Sequence, residues 1–155
     1  MFFADQAALD QKLADLKQEI GDQLGLVSLE APLISNLDVW GNIALIYQHH
    51  REISKKLARD FVMQCLQRYD LEKIAYKRNP VLSEEERFCV KVLRAAMVGE
   101  AVIVIDRPFK MLHYIKDTTF IYETLGKIED LFTRCEILDY SQEKNRYGLI
   151  NDSED

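Results

Sequence analysis

The stretch LSEEERFCVKVLRAAMVGEAVIVIDRPF, residues Leu82 to Phe109, sets a helix directly before a buried strand. Ser83 followed three residues later by Glu86 is a capping-box spacing, in which each side chain satisfies the other residue's backbone N–H at a helix start. The helix runs to Arg94-Ala95-Ala96. Ala101 to Ile105 is a short, continuous apolar run rich in β-branched residues, as expected of a strand covered on both faces. It ends in Asp106, and Pro108 prevents its continuation. A buried strand fed by a helix makes the chain α/β.

Upstream, Leu9, Leu13, Leu16 and Ile20 share one stripe of a helix expected over Ala8 to Ile20, which Gly21 ends. Leu24 to Leu29 reads as a second short buried strand, and Ala31-Pro32 forces a loop. Asn36 or Asp38 can cap a helix carrying Val39, Trp40, Ile43, Ala44 and Tyr47. Another helix is expected from about Ile53, with Ile53, Leu57, Phe61, Cys65 and Tyr69 at helical spacing. The polar turn Lys77-Arg78-Asn79-Pro80 leads into Ser83. Downstream, Ile121, Leu125, Ile128 and Phe132 form one helical face, and Cys135 to Tyr140 reads as a third strand.

The order helix, strand, helices, strand, helix, strand predicts a small parallel sheet of about three strands with an inserted helical lobe over about 36–98. Residues 1–150 form one domain, with a polar tail at 151–155. At 155 residues and 48% hydrophobic, the chain can build one real core but not two. The net charge of -6 disfavours nucleic acid as a partner, because phosphate binding needs concentrated Lys and Arg. Cys65, Cys89 and Cys135 are odd in number and embedded in apolar patterns, which points to buried thiols in a cytoplasmic protein rather than disulfides. His49-His50 are adjacent and diverge on a helix, and His113 has no partner at ligand spacing, so no metal site is expected. No uninterrupted apolar run is long enough to insert in a membrane.

Residues 82–109 resemble the signature-to-Walker-B segment of ATP-binding-cassette (ABC) ATPases, where LSGGQ, R and RA precede a strand ending in DEP. The resemblance extends back to GLVSLEAPLISNLDVWGNI, Gly25 to Ile43, which is similar to the family's Q-loop region, and covers roughly Leu24 to Tyr140. It implies a P-loop NTPase-like domain whose nucleotide residues are replaced. The Q-loop glutamine falls on Leu29. The two signature glycines fall on Glu84 and Glu85, the signature glutamine on Glu86, and the catalytic glutamate on Arg107. Ser83 and Asp106 alone keep the family's residue type.

The chemistry of these replacements is adverse to nucleotide. Bare N–H groups at a helix start bind phosphate, whereas three glutamates place negative charge there, and the capping box occupies the N–H groups from within. Arg107 cannot accept a proton from water at neutral pH. No GxxxxGK[ST] run stands among the 155 residues; Gly126-Lys127 is followed by Ile128 and reads as a bend in a surface helix. The resemblance therefore implies a truncated domain lacking the Walker A loop, with no cofactor and no enzymatic activity.

Family topology places the three strands in the order third, second, first, and leaves the third as an edge unless something covers it. The expected function is a regulatory or binding module of an ABC transport system, partnered by a second copy, a full-length ABC ATPase or a transporter subunit. Two alternatives are a partner half that contributes Asp106 and Ser83 to a composite ATPase site, and a small-ligand binder using the cleft at the strand ends.

Overall fold

The chain begins with a strand of only two residues, β1 (Phe2–Phe3), followed after Ala4 and Asp5 by the helix α1 (Gln6–Ile20). The structure is a computed structural model and describes residues 1–149. The tail expected at Asn151–Asp155 lies outside the described residues. Asp5 caps α1 by accepting the N–H of Ala8, so the helix starts two residues before the expected Ala8. Leu9, Leu13 and Leu16 are buried, and Gly21 ends the helix at a φ of 64°.

β2 (Leu24–Val27) is shorter than the apolar run it was read from. It stops because Ser28 opens a turn: its hydroxyl accepts the N–H of Glu30 and its carbonyl accepts that of Ala31. Leu29 is consequently 53% exposed rather than buried in a strand.

The lobe follows. In α2 (Val39–His50) the cap is Asp38, which accepts the N–H of Gly41, and not Asn36. Asn42 is buried and bonds both the N–H and the carbonyl of Ile34, fixing the entry to the lobe. The rings of His49 and His50 end this helix 5.2 Å apart and edge-to-face, so they touch rather than diverge. In α3 (Lys55–Gln67), capped by Ser54, the buried face is Ala58, Val62, Cys65 and Leu66. Of the expected stripe, Cys65 is buried and Phe61 and Tyr69 pack half-buried on the core, but Leu57 is 59% exposed and Ala58, Val62 and Leu66 fill the interior instead. Two apolar stripes compete on this helix, and the one with Ala58 and Val62 lets α3 approach its neighbours more closely.

α4 (Glu84–Ala96) has the capping box in full, and residues on nearly all its faces are buried, from Phe88 through Ala96. β3 (Val102–Asp106) is buried at every position. After it, α5 (Thr119–Gly126) is shorter than the apolar periodicity suggested. Ile128 and Phe132 reach the core from a turn and an extended segment, and Gly126 is the last helical residue.

β4 (Arg134–Tyr140) completes one parallel sheet in the order β1-β4-β3-β2, with Leu24 opposite Val102, Ile103 opposite Cys135 and Phe2 opposite Asp139. The third-second-first order is present, but among the described residues the strands number four. β1 pairs with Asp139–Tyr140 and covers part of the edge expected to be bare. α1 packs on one face through Leu9, Leu13 and Leu16 against Val104 and Leu138. α4 lies against the other face, beside α2. Gly25 permits this: a Cβ there would lie 2.3 Å from the carbonyl oxygen of Ala95. Cys65 and Cys89 are buried free thiols and Cys135 is half-buried; desolvation pushes their pKa values up to about 11, 11 and 12. Among the described residues no helix is long and apolar enough to cross a membrane.

Candidate functional site

The carboxyl end of β3 delivers Asp106 and Arg107 to the point where open α/β sheets generally hold ligands. The N–H of Arg107 still donates to the carbonyl of Leu138 on β4 (2.8 Å). Its φ of 48° then turns the chain sharply before Pro108, a left-handed conformation that is uncommon and strained for arginine.

That turn folds the guanidinium back onto its own neighbour. Arg107 Nε donates to Asp106 Oδ1 at 2.7 Å and Nη2 to Oδ2 at 3.1 Å. Ser28 Oγ, at the end of β2, donates to the same Oδ2 at 2.8 Å. Nη2 also meets Asp10 of α1 at 3.1 Å, and Nη1 donates to the Tyr140 hydroxyl at 3.1 Å. The hydrogen bond to Asp106 raises the already high pKa of the guanidinium, so it is a permanent cation. Both oxygens of Asp106 are engaged, and both residues are nearly fully buried, at 3% and 5% exposure.

A divalent metal needs open carboxylate oxygens, and here it would have to displace a bidentate guanidinium that also repels it. These residues do not fit a bound magnesium. Nor do they include a free base: Arg107 has no acceptor, and Asp106 is spent on its hydrogen bonds.

Ser83 to Glu86 sit at the start of α4. Ser83 Oγ accepts the N–H of Glu86 at 3.1 Å, and Glu86 Oε1 accepts that of Ser83 at 2.9 Å. Glu84 turns to His113 in the segment after β3, meeting its Nδ1 at 2.6 Å and accepting its backbone N–H at 2.9 Å. The His113 side-chain hydrogen bond, then the backbone one, lowers the Glu84 pKa. His113, which has no Cys or His at ligand spacing, thus ties this segment to α4 through a carboxylate. Glu85 lines a separate shallow cleft with Tyr69, Cys89 and Phe120. Among the described residues no hydrogen bond or ion pair joins the Ser83–Glu86 group to Asp106 and Arg107, and Leu29 contributes to neither.

Sequence reading missed Asp10, Ser28, Tyr140 and Lys91. Lys91 lies on α4 only 3% exposed, with Nζ donating to the carbonyl of Ser28 at 3.1 Å. Desolvation, followed by Arg94 and Arg87, pushes its pKa down to about 8. Arg94 donates to the carbonyls of Ala31 and Pro32, so α4 holds the turn after β2 through two cations. A lysine set within the apolar run Phe88-Cys89-Val90 and Val92-Leu93 was the available signal.

No protein-family model matches the chain, and no curated protein matches it in sequence. Among solved structures it is similar to the dimeric structure of MJ0796, a bacterial ABC transporter cassette, at 22% identity and a TM-score of 0.60, covering 86% of this chain and 58% of that one. It is also similar to a dimeric post-hydrolysis state of the ATP-binding cassette MJ0796 bound to ADP and Pi, at 22% identity and a TM-score of 0.56, covering 85% and 56%. The chain spans less than two thirds of the length of either. The fold is therefore that of an ABC ATPase cassette.

Proposed function

We propose that this chain is a catalytically silent ABC-ATPase-like module that acts by binding, in association with an ABC transport system. The observation that carries the reading is the guanidinium of Arg107 held on both oxygens of Asp106. In an ABC ATPase a metal and an attacking water would be organised at that strand end, and here a fixed cation and no base stand in their place.

Two further features support it. A P-loop joins a strand to a helix through GxxxxGK[ST], whose backbone N–H groups cradle phosphate. Here β1, the strand flanking β4, joins α1 through Ala4 and Asp5, and the Asp5 carboxylate already accepts the N–H of Ala8 at 2.8 Å. Negative charge thus sits at the helix start where phosphate would need to bind. The composite-site alternative is disfavoured because Asp106 and Ser83 are both engaged within the chain.

The surface this reading assigns to the partner lies beside β2, a sheet edge on the far side from β1. A groove of about 260 Å³ lies there, lined by Leu24, Leu26, Pro32, Ile34, Leu45 and Val98, with Ile34 and Leu45 exposed. It suits an apolar segment of a transporter subunit or ABC ATPase on the cytoplasmic side. A homodimer is the other partner consistent with the fold. Isothermal titration with Mg-ATP, together with a phosphate-release assay, tests the reading. The expected result is neither binding nor turnover; micromolar affinity with hydrolysis would sink it.

A further inference from the structure

At the opposite, amino end of β3 and β4, α2, α3 and the segments leading into the two strands enclose a cleft of about 280 Å³. At ~30 Å³ per water this is about nine water volumes, close to the lower end of the range for small-molecule sites. Tyr47 and Phe61 stack along it, centroids 4.6 Å apart and 16° from parallel, and Leu131 and Phe132 extend the apolar lining.

Two charged groups are anchored in this lining. Arg51 lies over the Tyr47 ring at 4.5 Å and donates from Nη1 to the carbonyl of Met97 at 2.7 Å. A guanidinium has five N–H groups, so the rest of the fork is available, in a geometry already held by two contacts. Glu100, exposed, has a left-handed φ of 50° and accepts from Gln23 Nε2 through Oε2. Its other oxygen has no hydrogen-bond partner among the described residues. The third charge, Asp130, is neutralised by a bidentate pair with Arg68 at 2.6 and 3.0 Å.

The cleft thus offers one available cation, one available carboxylate and aromatic walls. A polyanion would meet Glu100 and Asp130, and a purely apolar ligand would desolvate both charges without replacing their water. We propose that the cleft binds a small zwitterion of the α-amino-acid type with an apolar or aromatic side chain. Its carboxylate pairs with Arg51, its ammonium with Glu100, and its side chain packs on Phe61 and Phe132. This site is separate from the Asp106 end and independent of the pseudo-ATPase reading.

The test is a titration of the ¹⁵N-labelled chain with L-phenylalanine to about 10 mM, reading amide shifts, which captures affinities into the millimolar range. Saturable shifts are expected in residues 47–51, 96–100 and 131–133. Phenylpropionate and phenylethylamine, each lacking one charge, should bind about three- to fivefold more weakly, the worth of an ion pair at a partly exposed site. Glu100→Gln, an exposed substitution that preserves shape, should weaken L-phenylalanine to a similar degree. Arg51→Met is the second variant. Absence of saturable shifts, equal affinity for the three probes, or undiminished binding to both folded variants would overturn the proposal.

Discussion

Replacing Lys91 by methionine should stabilise the protein at neutral pH. The ammonium lies in the core with the Ser28 carbonyl at 3.1 Å and the Met111 sulfur at 3.9 Å as its polar contacts, and no carboxylate is bonded to it. Burial lowers its pKa from 10.5 to about 8. At about 1.4 kcal/mol per pH unit, holding the charge inside costs on the order of 3 kcal/mol. Methionine has nearly the same length and no charge. It forfeits one hydrogen bond, worth ~1 kcal/mol, but the Ser28 carbonyl keeps the N–H of Ala31. The net expectation is a gain of about 2 kcal/mol, or roughly 4–8 °C in Tm for a domain of this size.

The pH dependence distinguishes this cause from better packing. Below pH 8 the lysine is charged in both states and the penalty is present in full. Between about 8 and 10.5 the unfolded chain holds a proton that the folded chain has released, so wild-type stability rises with pH. The advantage of Lys91→Met should therefore shrink between pH 7 and pH 10. Urea denaturation of both proteins at the two pH values measures it. A variant less stable than wild type at pH 7, or a difference that does not change with pH, refutes the argument.

Arg107→Ala removes the cation from a buried carboxylate and should destabilise by about 3–5 kcal/mol at pH 7. Urea melts of variant and wild type at pH 7 measure the deficit, and a loss under about 1 kcal/mol would refute it. Gly25→Ala drives a methyl into the Ala95 carbonyl at 2.3 Å and should cost about 3 kcal/mol or abolish folding, seen as a lowered melting temperature. Ser83→Ala removes half of the capping box and should cost about 1 kcal/mol in chemical denaturation. Ser83→Asp, which restores a cap acceptor, should recover most of that loss.

Several elements were legible because their information is local. The run Ala101 to Ile105 reads as a buried strand since both faces of a parallel strand are covered, and β3 is buried throughout. Ser83 and Glu86 form the box their spacing implies, because the three-residue separation is set by helix geometry alone. Asp5 and the two residues of β1 were not legible. A pair of phenylalanines carries no periodicity, and the strand exists through pairing with Asp139 and Tyr140 at the other end of the chain. On α3 only Leu57 departs from the expected face, because Leu57 and Ala58 begin two adjacent stripes and packing in the lobe turns Ala58 inward.

Local sequence was enough for the α/β order, the Ser83–Glu86 capping box, the central buried strand and the residue types at the positions that resemble the Q-loop, signature and Walker B of an ABC cassette. It showed that Arg107 could not be a base. Tertiary packing settled what Arg107 does instead, which is to close on Asp106 with Asp10 from α1, Ser28 from the turn after β2 and Tyr140 from β4. It alone buried Lys91 beneath the Ser28 turn and opened the Tyr47–Phe61 cleft between lobe and sheet. Caps and strand runs depend on neighbours a few residues away, whereas these contacts join positions brought together only when the parallel sheet sets its register.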